Sequence, residues 1–188
     1  MDLHPDLGAR VGGITVAPAD AQFDGITLRP PAKSDGAALH RLVAQNPPLD
    51  TNSAYCNVLQ CTHFADTCIV AEKDGELVGY VTGYLLPRDP GVYFLWQVGV
   101  SEAGRGVGLA TRMIQAVLAR DFCRQVRELH TTITRSNTAS RRLFRSLADK
   151  EGADITEEEA YFSEQDLDGH AAESLFRITP LSTPRDGS

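Results

Sequence analysis

The run from Val92 to Val100 is dense in aromatic and β-branched residues. It passes through Ser101-Glu102-Ala103-Gly104 and Arg105-Gly106-Val107-Gly108-Leu109-Ala110 straight into a helical pattern. A strand of that composition belongs near the middle of a sheet. The helix is expected from about Gly106 to Phe122, because Leu109 or Ala110, Met113, Ile114, Val117 and Leu118 recur at the three-and-four spacing of one buried face.

The flanking segments fix the kind of sheet. Gly25 to Leu28 reads as a first strand closed by Pro30-Pro31. Ser34 or Asp35 can cap a helix with Leu39, Leu42 and Val43 on one face, stopping before Pro47-Pro48. A second short helix can begin around Asp50 to Ser53, with Tyr55, Val58, Leu59 and Thr62 sharing a face. Between Asp66 and Leu86 the period becomes that of strands, and Asp74-Gly75 is a two-residue hairpin turn. Pro87 to Gly91 is a break before the central strand. Val126 to Thr134 is another strand, and Asn137 to about Lys150 a helix carrying Ala139, Leu143, Phe144 and Leu147. Short strands near Ala160 to Phe162 and at Ser174 to Thr179 close the pattern, with Glu157-Glu158-Glu159 as a solvated turn or edge. Hairpins mixed with crossover helices imply a mixed sheet.

At 188 residues the chain has room for one ordinary domain, and 42% hydrophobic with 23% charged residues is enough to bury a core. Residues 1 to 24 read as a loose arm and 181 to 188 as a loose tail, leaving 25 to 180 as the domain. No apolar run reaches the roughly 18 to 20 residues of a membrane helix. The first residues, Met1-Asp2-Leu3-His4-Pro5, lack the basic start and apolar run of a signal peptide, so the cytoplasm is the expected compartment. A net charge of −7 disfavours nucleic acid and mildly favours a cationic partner. Cys56, Cys61, Cys68 and Cys123 are expected as reduced thiols, and the spacing of Cys61, His63 and Cys68 matches no standard zinc pattern, so no metal is expected.

The chemistry concentrates in the loop after Val100. Glycines let backbone approach a ligand closely, and free N–H groups of a first helical turn with the helix dipole behind them suit a phosphate or pyrophosphate. A dinucleotide fingerprint fails because Thr111 stands where the third glycine should be, and there is no Gly-Lys-Ser/Thr for a nucleotide-hydrolase loop. What remains is R-x-x-G-x-A, which resembles the acyl-CoA pyrophosphate loop, Q/R-x-x-G-x-G/A, of the GNAT superfamily of N-acetyltransferases. Asn137 to Phe144 is similar to that superfamily's second motif, N-x-x-A-x-x-L-Y.

The resemblance implies a single GNAT-like α/β domain, a central mixed twisted sheet of about seven strands flanked by about four helices, with acetyl-CoA as co-substrate. In the superfamily pantetheine lies where the two central strands splay. Carried over, Val98 and Val100 supply main-chain contacts, Arg105, Gly106, Gly108 and Ala110 hold the pyrophosphate, and Asn137 contacts the cofactor arm. Gly99 is consistent with a bulge or with plain packing. Phe144 departs from the pattern: many relatives have there the Tyr that protonates the departing thiolate, and Phe has no proton to give. Water, Ser140 or another residue must serve, or the thiolate leaves unprotonated.

Four further segments, Leu49 to Tyr55, Trp96 to Val100, Thr131 to Asn137 and His170 to Phe176, resemble a narrower group, the L-2,4-diaminobutyrate acetyltransferases of ectoine synthesis. That resemblance implies a small cationic amine substrate and a homodimer. An alkyl ammonium with a pKa of about 10 must be bound and then deprotonated. Asp50 and Glu173 are therefore expected to face ammonium groups, one of them or a water it holds being the base. Tyr55, Trp96 and His170 are expected beside them, Trp96 as a wall facing a cation. Asp50 can equally cap a helix, Tyr55 and Trp96 can be core, and His170 and Glu173 can lie in a solvent loop. Arg41, Arg135, Arg141 and Arg142 can hold a carboxylate or phosphates, or be solvated helix faces. Acetylation of another primary amine, such as a polyamine or another diamino acid, and a non-catalytic acyl-CoA sensor are the alternatives.

Overall fold

A computed structural model of the protein describes residues 22–47 and 49–181. The arm expected at 1 to 24 lies outside the described residues as far as 21, and the tail lies outside them from 182. The first hairpin begins before the expected strand: β1 (Gln22–Phe23) pairs antiparallel with β2 (Ile26–Arg29) across a turn in which Asp24 and Gly25 both have positive φ.

β3 (Ile69–Lys73), β4 (Glu76–Leu86) and β5 (Asp89–Val100) continue an antiparallel meander from β2. β5 then pairs in parallel with β6 (Glu128–Thr134), and β8 (Glu173–Thr179) lies between β6 and the edge strand β7 (Asp154–Phe162). The order β1-β2-β3-β4-β5-β6-β8-β7 is the mixed sheet expected, seven strands plus a two-residue opener. Asp74 and Gly75, at φ 52° and 81°, make the hairpin turn that their sequence demands. The break expected at Pro87 to Gly91 shrinks to a tight turn, since Leu86 already pairs with Asp89. Pro90 falls where the register shifts, so its missing N–H leaves no ladder bond unmade. β7 starts six residues earlier than expected and carries Glu157 and Glu158 on the sheet edge, paired with Arg141 and Arg177.

Among the described residues four α-helices flank the sheet. α1 (Gly36–Ala44) and α2 (Ala54–Gln60) lie on one face, where Leu39, Leu42, Val43 and Cys61 pack on Val70 and Tyr80. α3 (Leu109–Leu118) and α4 (Thr138–Glu151) bury the other face, where Leu109, Met113, Ile114, Val117, Phe144 and Leu147 meet Ile69, Val81, Leu95, Leu129 and Phe176. Asp35 precedes α1 without capping it. Its carboxylate accepts the Ala32 N–H and a bidentate pair of bonds from Arg29, which also reaches Glu72 on β3.

Two helices depart further from expectation. α2 does not bury Tyr55, Val58, Leu59 and Thr62; its buried residues are Asn57 and Gln60, and Tyr55 is exposed. The polar residues of that face are tied by two hydrogen bonds, Asn57 donating to Gln60 Oε1 and pairing with His40 Nδ1, while Gln60 Nε2 finds no partner among the described residues. α3 is shorter than the pattern suggested. Gly106 and Gly108 hold positive φ and keep 105–108 as a turn, and the chain turns extended at Arg120, whose guanidinium binds the carbonyls of Ala65, Asp66 and Cys68. All four cysteines are free thiols. No helix among the described residues is long and apolar enough to cross a membrane.

Candidate active site

The site starts from a fault in the pairing of β5. Val92, Tyr93 and Phe94 pair with Glu128, Leu129 and His130 of β6, and there the parallel ladder ends. Beyond it β5 stays with β4 while β6 stays with β8, so the two central strands splay apart. The bulge that accompanies the splay lies at Trp96: Thr82 pairs with Gln97 and Gly83 with Leu95, leaving Trp96 without a partner. Gly99, considered for that role, pairs regularly with Tyr80, and a Cβ there would meet the Tyr80 ring at 2.5 Å, so it is a packing glycine. The bulge shifts the alternation of β5. Tyr93, Leu95, Val98 and Val100 contribute to the α3 side, while Gln97 turns to the α2 side beneath residues 49–53.

Between the splayed strands lies a cavity of about 570 Å³. Asp50 and Glu173 both line it, from separate elements: Asp50 on the segment leading into α2, Glu173 at the start of β8, where it pairs with Thr134 and Phe162. Trp96, His170, Val98 and Asn137 line it too. Tyr84 stacks on Phe94 at 5.4 Å and meets Trp96 edge-on at 6.5 Å, giving one aromatic wall. Burial pushes the Tyr84 phenol upward, with Tyr161 adding to it, so it is neutral at ordinary pH. Tyr55 does not reach the cavity and stands exposed on α2. Asp50 does not cap that helix, since the Ser53 hydroxyl accepts the Cys56 N–H instead.

No Lys or Arg is among the described residues that line it. Of the four arginines considered, Arg141 is bound to Glu157 and lies 4.9 Å over the Phe176 ring, while Arg41, Arg135 and Arg142 are exposed elsewhere. A cavity with two carboxylates and an aromatic wall favours an ammonium guest.

The glycine loop adjoins this cavity at the end of β5. Gly106 (φ 87°) and Gly108 (φ 69°) face open space, and no side chain caps α3, whose N-cap is Gly108. The first-turn N–H groups are therefore available to an anion, and Arg105 is exposed beside them. This backbone fits a pyrophosphate, and the splay beside Val98 and Val100 fits an extended arm. Asn137 caps α4 by accepting the Ser140 N–H. Val100, Arg105, Gly106, Gly108 and Ala110 lie outside the cavity lining, as a separate half of the site.

The family model for the acetyltransferase (GNAT) family matches residues 37–148. The chain belongs to the GNAT acetyltransferase family. Among curated relatives, L-2,4-diaminobutyric acid acetyltransferase of Bordetella parapertussis is 47% identical over 84% of this chain and 86% of its own. The protein of that name from Halomonas elongata is 48% identical over 83% and 82%. Diaminobutyrate acetyltransferase EctA from Paenibacillus lautus, solved with its substrate L-2,4-diaminobutyric acid and coenzyme A, superposes with a TM-score of 0.78. It is 37% identical over 82% of this chain and 95% of that one. These likenesses agree with the GNAT fold and with acetyl-CoA as the acyl donor.

Several lining residues were not singled out from the sequence: Asn52, Tyr84, Phe94, Gln97 and Phe162. Gln97 did carry a signal, as the polar interruption of an otherwise apolar strand. Tyr84 and Phe94 carried none, because their nearness depends on the β4–β5 register, in which they are directly paired.

Proposed function

We propose that this GNAT protein transfers the acetyl group of acetyl-CoA to the γ-amine of L-2,4-diaminobutyrate, the acetylation step of ectoine synthesis. The observation that carries the reading is the cavity that Asp50 and Glu173 both line, with no Lys or Arg among its described lining residues. It is supported by relatives of that name aligned over most of their length.

Acetyl-CoA supplies an activated thioester, and the chain's residues do the rest. Asp50 and Glu173 bind the two ammonium groups, and one of them, directly or through a held water, takes the proton of the γ-nitrogen so that its lone pair can attack the carbonyl carbon as the C–S bond breaks. Trp96 and Tyr84 wall the cation, and His170 with the lining hydroxyls of Thr131, Thr134 and Ser136 offers donors to the α-carboxylate. A β5 backbone N–H stabilises charge on the thioester oxygen. Phe144 is buried at 1% exposure and has no acidic proton to give, while Ser140, one turn earlier on α4, lines the same cavity and relays to the leaving thiolate the second proton that the nitrogen sheds on becoming an amide, its hydroxyl being restored in the same step.

The reading extends to a cytoplasmic homodimer. Tyr55, Phe64 and Trp96 are 72%, 41% and 43% exposed in a single copy, apolar surface that a second copy can cover. Sedimentation velocity tests this part. The activity is tested by acetyl-CoA-dependent thiol release with diaminobutyrate, ornithine, lysine, spermidine and a peptide amine, and by NMR location of the acetyl group. Turnover confined to diaminobutyrate with the label on the γ-nitrogen is expected. Coenzyme A binding without turnover on any amine would overturn the reading.

A further inference from the structure

Asp50 lies on a stretch with little else to hold it. Its carboxylate accepts no hydrogen bond among the described residues, and its place is set by the backbone of residues 49–53. Two hydrogen bonds among the described residues tie that backbone and its side chains to the sheet, and Gln97 is the partner in both. Asn52 Nδ2 donates to Gln97 Oε1 at 2.9 Å, and Gln97 Nε2 donates to the Asp50 carbonyl at 2.8 Å. Gln97 is 6% exposed, and the bulge at Trp96 is what turns it toward this stretch. The amide cannot be reversed: a carbonyl only accepts, so the Gln97 nitrogen must face Asp50, and its oxygen must then take the Asn52 donor.

We propose that Gln97 is a positioning residue for the amine substrate, clamping the 49–53 segment so that the Asp50 carboxylate stands in the cavity where an ammonium group arrives. The proposal rests on Asp50 as an ammonium-binding residue. It predicts that Gln97 acts on amine affinity, that it acts through Asp50, and that it leaves the cofactor half alone. Glutamate is no substitute for this glutamine. It keeps the acceptor for Asn52 but sets a carboxylate oxygen against the Asp50 carbonyl.

The test is calorimetric binding of L-2,4-diaminobutyrate to the full chain saturated with coenzyme A, in a double-mutant cycle. Gln97→Leu and Gln97→Glu are each expected to weaken diaminobutyrate binding about tenfold while changing coenzyme A affinity less than about twofold. In an Asp50→Asn background, Gln97→Leu is expected to add less than about twofold, because the charge it positions is gone. Asn52→Ala, on the partly exposed end of the clamp, is expected to weaken binding about threefold and to show the same loss of effect with Asp50→Asn. It runs the cycle should Gln97→Leu not fold. Full multiplicativity with Asp50→Asn, or unchanged amine affinity in the Gln97 and Asn52 variants while Asp50→Asn weakens it, would overturn the proposal and leave Asp50 in its role. Unchanged affinity in Asp50→Asn would overturn the Asp50 reading itself, and the proposal with it.

Discussion

The two halves of the site are made in opposite ways. The cofactor half is contiguous backbone: the end of β5, the glycine turn and the start of α3 follow one another over about a dozen residues, and what they offer an anion is N–H groups. The amine half is side chains brought from separate places, Asp50 before α2, Tyr84 on β4, Trp96 on β5, Ser140 on α4 and Glu173 on β8. Backbone recognition tolerates almost any side chain that leaves the turn intact. Side-chain recognition depends on every element that carries a member. The difference suits a fold in which the same acyl donor serves many acceptors.

The sharpest way to break this comparison is to remove one charge from the amine half. Asp50→Asn and Glu173→Gln are each expected to lower kcat/KM for diaminobutyrate by about 100-fold or more, since each removes either the base or an ammonium partner. Coenzyme A affinity should hold. A matching fall in coenzyme A affinity in either variant would show that the halves are one unit.

The next largest effect belongs to the other half. Gly106→Ala and Gly108→Ala meet open space, so sterics with neighbours cost nothing and the whole penalty is the left-handed backbone, about 1–2 kcal/mol for a residue with a Cβ. Relaxation of the turn should weaken coenzyme A binding about tenfold. Amine KM at saturating acetyl-CoA should not change.

The same contrast explains what could be read before the structure. The glycine turn, the Asp74-Gly75 hairpin and the amphipathic faces of α1, α3 and α4 are local, and spacing alone locates them. The face of α2 is not legible from apolar periodicity, which points to Tyr55 and Leu59, whereas the buried side carries Asn57 and Gln60, bonded to each other and, through Asn57, to His40 on α1. At Gly99 the sequence leaves bulge and plain packing both open, since a glycine is the visible mark of irregular backbone; packing is the outcome, and the bulge lies at Trp96, which nothing in β5 alone marks. The actual fault depends on how β4 counts against β5, which no single strand records. Asp50 and Glu173 were found through resemblance. That both line one cavity is a product of the sheet order, with β8 placed beside β6.

A smaller effect tests whether the amine half is mechanically separable. The layer of α1 and α2 is fastened to the sheet by Arg29, which binds Asp35 and Glu72 at 2.7 Å each. The Arg29 hydrogen bonds hold the Asp35 carboxyl below its ordinary range, against burial, which pushes it up. A carboxyl depressed on folding contributes stability that is fully present above its unfolded value of about 4 and is lost as pH falls through the lower folded value. Asp35→Asn is expected to cost about 1–2 kcal/mol, the partial exposure of Arg29 keeping it modest, and to lower Tm by about 2–4 °C for each of them. It should also flatten the loss of stability on acidification. Below the melting range coenzyme A affinity should be unaltered; a fall there would join the α1 layer to the cofactor half.

The smallest expected effect is at Arg105. Its guanidinium is exposed at the rim of the glycine turn, so any attraction to a pyrophosphate acts through water and salt. The N–H groups of the first turn of α3 act at contact distance and are already in place, which leaves a solvent-exposed cation little to add once the ligand is seated. Arg105→Ala is therefore expected to weaken coenzyme A binding only about two- to threefold at low ionic strength, with the difference from the unaltered protein shrinking as salt is raised. The glycine variants, whose defect lies in backbone geometry, should show a loss that salt barely changes. If instead Arg105→Ala matches them at every ionic strength, the cofactor half depends on a side chain as the amine half does, and the contrast between the two fails at its most exposed point.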